Sequence, residues 1–583
     1  MKNNSKAEFD VAIAGMGPTG LVLAHMLGMR GHDVIVLERE PVFYGNARAV
    51  YTDDECMRIF QHIGAADEIA KDMLQETPVQ FVRPDGSVLG QYCPRQRPFG
   101  WPVVNFFYQP YLETTLTKLL ERYPNVVIQR GREVCGFEQD SNGVNVTHQA
   151  TREFRYSENT DGLTESTTDS DLKTLRARYL VGADGGRSFV RETLGIKMTG
   201  RNFPEPWLVV DLKQKDRNEG LRHLPYFNFV VDPKLPVVSC IQPDGFHRFE
   251  FMLKPDQTKE YMEKPETVRE YLSKFIDPDK FDVMRKLVYT FNALIVEKWH
   301  EGRVILAGDA AHMTPQFMGQ GASSGVRDAF NLGWKLSAVL QGCASEKLLD
   351  TYGNERHDHA QAMINISVFL KDLVSTTHPV GSRVRDTVML TVQKVPGLKK
   401  WVEEGGVKPK PIYTKGQYLG LPRGFRGQEG TMAPQPEVRL LDGRHMPLDE
   451  LTSDGFTVIG LNVDPRKTLS NADMDFLSKL NTRYIALYPY AHRPQGMDGV
   501  ESDAADGLQE AEDMTGSMVK WFRKAGFRKH GVAILRPDKF TFAMVKPEEQ
   551  TLALEALQEQ MGWEYASPEL KDPAAASQPQ QRI

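Results

Sequence analysis

Three glycines, Gly15, Gly17 and Gly20, stand in G-x-G-x-x-G spacing, and an acid, Glu38, closes the next apolar run. Each has a physical use. The first glycine permits a sharp turn, the second lets a pyrophosphate reach the backbone, and the third lets a helix pack close to a sheet. The N-terminus of that helix offers unpaired N–H groups to phosphate. A carboxylate at Glu38 accepts hydrogen bonds from ribose hydroxyls. Together they describe a dinucleotide site, with FAD and NAD both open. The alternative is a chance glycine turn, which the flanking pattern argues against.

That pattern is strand, turn, helix, strand. Val11 to Ala14 and Val34 to Leu37 are apolar runs, and Leu21 to about Arg30 has helical spacing. Two later loops repeat the strand-to-loop design. The run Ala177 to Val181 leads into Gly182-Ala183-Asp184-Gly185-Gly186, and a run ending at Ala307 leads into Gly308-Asp309. Taken alone, Asp309 reads equally as a helix N-cap and Asp184 as a turn residue. The loop after Asp309 carries Pro315, Gly319, Gly321 and Ala322 and opens a helix reaching about Val339. Arg39 and Arg48 stand near the expected phosphates, with solvated surface charge as the alternative. His312, a lone histidine after a turn, is assigned a structural role.

The intervening chain supplies the supports. One helix is expected from Thr52 to about Ile69, with Asp53, Asp54 and Glu55 suiting its positive end. Phe81-Val82 and Val88-Leu89 flank a turn and predict a hairpin. Gln109-Pro110 opens another helix. A polar stretch from about Thr151 to Lys173 predicts an exposed hairpin excursion. Alternating runs from Trp207 to Phe291 predict a β-rich region roofing a cavity. A long helix is expected from about Lys347 to Leu373.

The chain has 583 residues, too many for one core, so two or three domains are expected. Net charge is −6 with no basic block, which argues against nucleic acid as a partner. No apolar run approaches a membrane span, and MKNNSKAEFD lacks the apolar core of a signal peptide. The five cysteines are scattered without C-x-x-C, so no disulfide framework, metal site or redox dithiol is expected. The expected compartment is cytoplasmic. Expected boundaries are 1–407 for the first unit, with its β-rich substrate part at about 78–108 and 200–295. A Pro- and Gly-rich linker follows at 408–436, then a small α/β domain at 437–565 and a disordered tail at 566–583.

The glycine turn, the Asp184 loop and the Asp309 loop, with AGDAAHMTP and GQGASSGVRDAFNLGWKL, make a recognisable set. Nearly the whole chain resembles the single-component FAD-dependent aromatic hydroxylases of the para-hydroxybenzoate hydroxylase and phenol hydroxylase type. HRFEFM and LRPDKF are most similar to the 3-(3-hydroxyphenyl)propionate hydroxylases among them. The resemblance implies an α/β fold: a Rossmann-like FAD-binding domain, an interleaved β-rich substrate domain and a C-terminal thioredoxin-like domain lacking its active cysteines.

The resemblance also implies roles. Gly15, Gly17, Gly20 and Glu38 match the ADP-binding fingerprint. Arg48 matches a phosphate contact, Gln109 a residue near the ribityl chain, and Asp309 the ribityl-binding aspartate. Asp184 matches an aspartate tied to FAD and NAD(P)H handling. Pro315 and Gly319 to Ala322 match the loop beneath the isoalloxazine ring. Arg248 matches an arginine near the flavin, and Tyr51 and His247 are the other candidate catalytic residues. Gln242 and Phe317 are further candidates, with ordinary packing the alternative for each. The implied reaction uses FAD, NADPH or NADH and O2 to hydroxylate a phenolic substrate ortho to its hydroxyl through a flavin hydroperoxide. The implied assembly is a homodimer, with the C-terminal domain supporting dimerisation or covering the main domain. An epoxidase on the same fold and a flavin-binding regulatory protein are the alternatives.

Overall fold

The computed structural model describes residues 8–42, 48–151, 171–216, 221, 223–419, 427–493 and 507–563. The polar excursion at 152–170 and the tail at 566–583 lie outside them.

The apolar runs at the start form a sheet buried on both faces, as continuous Val/Ile/Leu strands require. Its parallel core places Phe9–Ala14 between Lys173–Gly182 and Val34–Glu38, with Val304–Leu306 and Val126–Arg130 outside them. Register aligns the strand ends: Ala14 pairs with Gly182 and with Leu37, and Gly182 with Leu306. The Gly15 turn, the Asp184 loop and the Gly308 loop therefore leave the sheet at one level. Ligands of open parallel sheets bind at this carboxyl edge.

The second sheet has eight strands. Its spine is Met198–Gln214 and Phe281–Val296, of 17 and 16 residues. Phe246–Met252, Val237–Ile241, Phe227–Val230 and the expected hairpin, Val79–Val82 with Val88–Tyr92, extend it. One face carries Leu208, Val210, Phe249 and Phe251 against the helix Pro265–Leu272. The other face turns toward the first sheet.

The helix expected over Thr52 to Ile69 is two, Asp54–His62 and Ala66–Ala70, because Gly64 takes φ +64° between them. Two helices, Pro379–Lys394 and Pro396–Glu403, occupy chain for which no element was expected. Their signal was present: each starts on a proline, and Val380, Val384 and Val388 recur every four residues, but on the exposed side.

A third sheet of seven strands builds the C-terminal unit. The chain read as a linker before it is packed down among the described residues: Lys408 enters a buried acid cluster, and Tyr413 and Gln417 are buried. No described helix is long and apolar enough to cross a membrane.

Candidate functional site

The glycine turn is shaped by its neighbours. Gly15 has φ +103°, and a Cβ there would strike the Ala183 carbonyl. A Cβ on Gly20 would strike the Gly15 carbonyl. A Cβ on Gly17 would meet nothing within 4 Å. So two of the three glycines close the turn and the third faces open space. Glu38 folds back over it, Oε2 accepting from Met16 N at 2.8 Å and Oε1 from Glu40 N at 2.8 Å. Burial raises its carboxyl pKa.

The other two loops meet this turn. Asp184 Oδ2 accepts from Val190 N at 3.1 Å, while its Oδ1 is buried without a partner. Gly308 has φ +61° and approaches Thr19, and so does Gly325 of the helix Gln320–Leu340. Asp328, on the same helix, holds the Gly308 loop: its Oδ2 accepts from Gly308 N at 2.9 Å and lies 2.6 Å from His312 Nε2, and its Oδ1 accepts from Arg356 at 2.7 Å. Asp309 beside it is open to the cleft, although protein surrounds the recess, and burial raises its pKa against the pull of His312 and Arg48.

Two helix N-termini face this space without a side-chain cap, Pro18–Gly28 and Gln320–Leu340. The second starts after Gly319 at φ +63°, and Gly321 in its first turn also faces open space. Unspent N–H groups and aligned dipoles suit the anionic parts of a flavin dinucleotide. With the unpartnered Asp184 oxygen and the open Gly17, this donor set fits FAD. Gly15 to Gly20 and the first helix would hold the pyrophosphate, Glu38 the ribose, Asp309 the ribityl hydroxyls, and Pro315 to Ala322 the ring.

Gln109 is used internally. Its Oε1 accepts from Arg48 N and Ala49 N at 2.7 and 2.8 Å, and its Nε2 donates to Glu113 at 2.6 Å. It thereby fixes the Arg48 segment, whose side chain is exposed. Arg39 pairs with Glu40 and Glu133 at 3.8 and 3.6 Å.

On the second sheet, strand alternation separates two residues expected together. Arg248 lies on the inner face, donating to Asp211 at 2.6 Å and to the Arg48 carbonyl at 2.6 Å. His247 points out the other side, 2.9 Å from Ser239 and against Phe249. Its expected place in the site is therefore corrected: neighbouring residues of one strand face opposite ways. Gln242 is buried at the end of the adjacent strand. Tyr51 is buried, its hydroxyl donating to the Val103 carbonyl at 3.1 Å and its ring filling the space a Cβ on Gly319 would take. Phe317 packs edge-on to Trp207 and Phe291.

The inner face thus lies over the Gln316–Gly319 loop, and Gln316 reaches it by donating to Glu250. Cross-strand register sets Phe81, Phe229, Val238, Glu250 and Val209 in one row, and Cys240, Arg248 and Asp211 in the next. Phe106 stacks on Phe227 at 5.4 Å and joins Tyr51 at 5.8 Å. Glu250, Gln316, Asp328 and Arg356 escaped the sequence reading. The signal for Glu250 was its spacing of two from Arg248. For Asp328 it was a charge in an otherwise apolar helix.

Asp53, Asp54 and Glu55 bring three carboxylates together, and Lys408 sits among them at 2.9, 3.3 and 2.6 Å. Arg327 adds a second cation, bonding Asp53 and lying 2.7 Å from Glu55. Asp53 also caps its helix, accepting from Cys56 N at 3.1 Å. An ammonium and a guanidinium fill this cluster.

Gly17→Ala tests the cradle. Gly17 has φ −70°, so alanine fits without strain, and apo melting should be unchanged. Its methyl would obstruct the phosphate, costing about 2 kcal/mol, the worth of a hydrogen bond to a charged group. Flavin-fluorescence titration should show FAD affinity falling roughly 30-fold. Unaltered affinity would move the pyrophosphate elsewhere.

Residues 8–367 match the FAD binding domain family, and residues 430–560 match the HcaD C-terminal domain. A 3-(3-hydroxy-phenyl)propionate/3-hydroxycinnamic acid hydroxylase of Burkholderia cenocepacia is 34% identical over 546 residues, covering 93% of this chain and 95% of its own. One of the same name from Klebsiella pneumoniae is 35% identical over 554 residues, covering 94% of each. Aklavinone-11 hydroxylase, solved with FAD and aklavinone, shares the fold at TM-score 0.73 and 23% identity, covering 96% of this chain and 100% of its own. The chain belongs to the family of FAD-dependent aromatic hydroxylases.

Proposed function

We propose that this monooxygenase acts on a phenol bearing a short acidic side chain, of the 3-(3-hydroxyphenyl)propionate type, and hydroxylates it ortho to the existing hydroxyl. The observation carrying this reading is the inner sheet face: aromatic side chains stand beside the charged groups Arg248, Asp211 and Glu250, over the loop assigned to the flavin ring. The names of the relatives support the substrate class. FAD, reduced by NADH or NADPH, supplies the activation of O2 and the transfer of one oxygen atom.

The chain's own residues do the rest. Phe227, Phe229 and Phe106 hold an aromatic ring and exclude water, which protects an electrophilic oxygen donor from wasteful breakdown. Arg248, tied to Asp211 and to the Arg48 carbonyl, fixes the distance between the sheet and the Arg48 segment. Tyr51 supports the loop at Gly319.

A first unit at 1–407 and a C-terminal unit at 437–565 go with this reading, as do a cytoplasmic location and a homodimer. A thioredoxin-like C-terminal unit is supported by strand order. Arg483–Pro489, Thr457–Leu461, Gly531–Leu535 and Thr541–Val545 adjoin in that sequence, the first pair parallel and the others antiparallel. With no C-x-x-C, that unit has no dithiol chemistry.

The test is NAD(P)H oxidation by FAD-loaded protein against 3-(3-hydroxyphenyl)propionate and other phenols, with products read by mass. Substrate-stimulated oxidation with a gain of one oxygen is expected. Consumption yielding only hydrogen peroxide with every phenol would overturn the substrate class.

A further inference from the structure

We propose that Glu250 accepts the phenolic proton of the substrate. This rests on the phenol hydroxylase reading above and assigns the base within it.

The placement comes from register. Glu250 pairs with Val238 and with Val209, and Val238 pairs with Phe229, so the carboxylate stands in the same row as the aromatic wall. The residue is 4% exposed. Gln316, from the loop assigned to the flavin ring, donates to Oε2. Oε1 accepts no hydrogen bond among the described residues. A phenol brought against this face would thus meet one oxygen held and the other available.

Other groups near this face are committed. Asp211 is shared between Arg248 at 2.6 Å and Arg285 at 2.8 Å. The Tyr51 hydroxyl donates to the Val103 carbonyl, and burial raises its pKa well above the ordinary value, as it does for the Cys240 thiol. His247 is on the far face.

Charge tunes the group to the task. Burial pushes the Glu250 carboxyl up, Arg248 on its own strand and Arg285 on Phe281–Val296 pull it down, and Asp211 on Met198–Gln214 pushes it up; together they leave it at about 7. A base is most effective with a pKa near the working pH. The proton-accepting carboxylate therefore predominates above about pH 7 and declines progressively below it. In the transfer, the phenol O–H bond breaks, its electron pair stays on the phenolate oxygen, and the proton goes to Oε1. The electron-rich phenolate ring carbon ortho to that oxygen then attacks more readily. The proton is released to solvent when the product leaves.

The experiment uses 4-nitrophenol, whose ionisation is visible by absorbance, bound to the oxidised FAD-loaded protein across neutral pH. The wild type is expected to ionise the bound probe at lower pH than free probe. Glu250→Gln is expected to abolish that shift and to slow phenol hydroxylation roughly 10²-fold, the usual scale for losing a general base. Glu250→Asp should restore part of the shift. FAD content and melting temperature check that each variant folds. If Glu250→Gln misfolds, the aspartate variant decides: no displacement of its ionisation curve from wild type would count against the proposal. Identical curves for wild type and Glu250→Gln, or a wild type that leaves the probe's ionisation unshifted, would overturn it. Failure of the substrate reading would look different, as an ionisation shift without oxygenated product.

Discussion

Arg536→Met should destabilise the protein by about 3–5 kcal/mol, the cost of breaking a buried ion pair from one side. Arg536 lies in the LRPDKF stretch of the C-terminal unit and is fully buried. Its two terminal nitrogens meet the Glu355 carboxylate at 2.7 and 2.8 Å, and Nε meets Asp538 at 3.0 Å. Lys335 Nζ reaches Glu355 at 2.7 Å, and Trp334 and Asn331 donate to Asp538 at 3.0 and 3.2 Å. These partners sit on Gln320–Leu340 and Asp350–Val374, helices of the flavin unit. Removing the guanidinium leaves Asp538 without a cation among the described residues and Glu355 with Lys335 alone, where water cannot reach them. The double variant Arg536→Met with Glu355→Met should lose less than the two single losses added, because the members of one network are not independent. Denaturant melts of the four proteins make the test. A single-variant loss under 1 kcal/mol, the scale of a surface pair, would mean the network is solvated. FAD affinity should fall in parallel if, as proposed, the uncapped N-terminus of Gln320–Leu340 serves the flavin.

Asp328→Ala should have a loss of similar size, about 3–5 kcal/mol, with FAD lost at the same time. Asp328 is fully buried and answers Gly308 N, His312 and Arg356 together. Without it Arg356 keeps its charge in the interior, and the Gly308 loop loses the bond that aims Asp309 into the cleft. Calorimetry and flavin absorbance after gel filtration read the two effects. The sign with pH follows from the folded carboxyl, which the charges of His312 and Arg356 hold down at about 2 against desolvation. Its contribution is complete above the ordinary aspartate value of 3.8 and is lost as pH falls toward about 2. The wild type and Asp328→Ala should therefore converge in stability only in strong acid. A constant gap down to that limit would assign the stabilisation to packing instead.

The same helix thus meets the cleft at its start, the Gly308 loop and the acid cluster in its middle, and the C-terminal unit near its end. The residues expected to link two units, including Lys408 and Gln417, are part of this buried framework. Gln417 N donates to Glu355 at 2.8 Å and its carbonyl accepts from Arg536 at 3.0 Å. A disposable cover would not require so many buried charges to be answered across the boundary.

Sequence alone determined the glycine turn, the acid at Glu38, and the two aspartate loops after strands. These are local matters: a positive φ, a missing Cβ or a carboxylate at a strand end is set within a few residues. Continuous apolar runs likewise determined a parallel sheet, and parallel strands bring their ends to one edge. Alternation also dictated that His247 and Arg248 could not share a face. Only the tertiary structure decided which of them looks inward, because that depends on what covers each face of the sheet. It likewise decided that Glu250 stands beside the aromatic wall, since the row runs through five strands drawn from between Val79 and Met252. The partners of Asp328, Lys408 and Arg536 were beyond local reading for the same reason. A buried charge must be neutralised by whatever the fold brings within about 3 Å, at any separation along the chain.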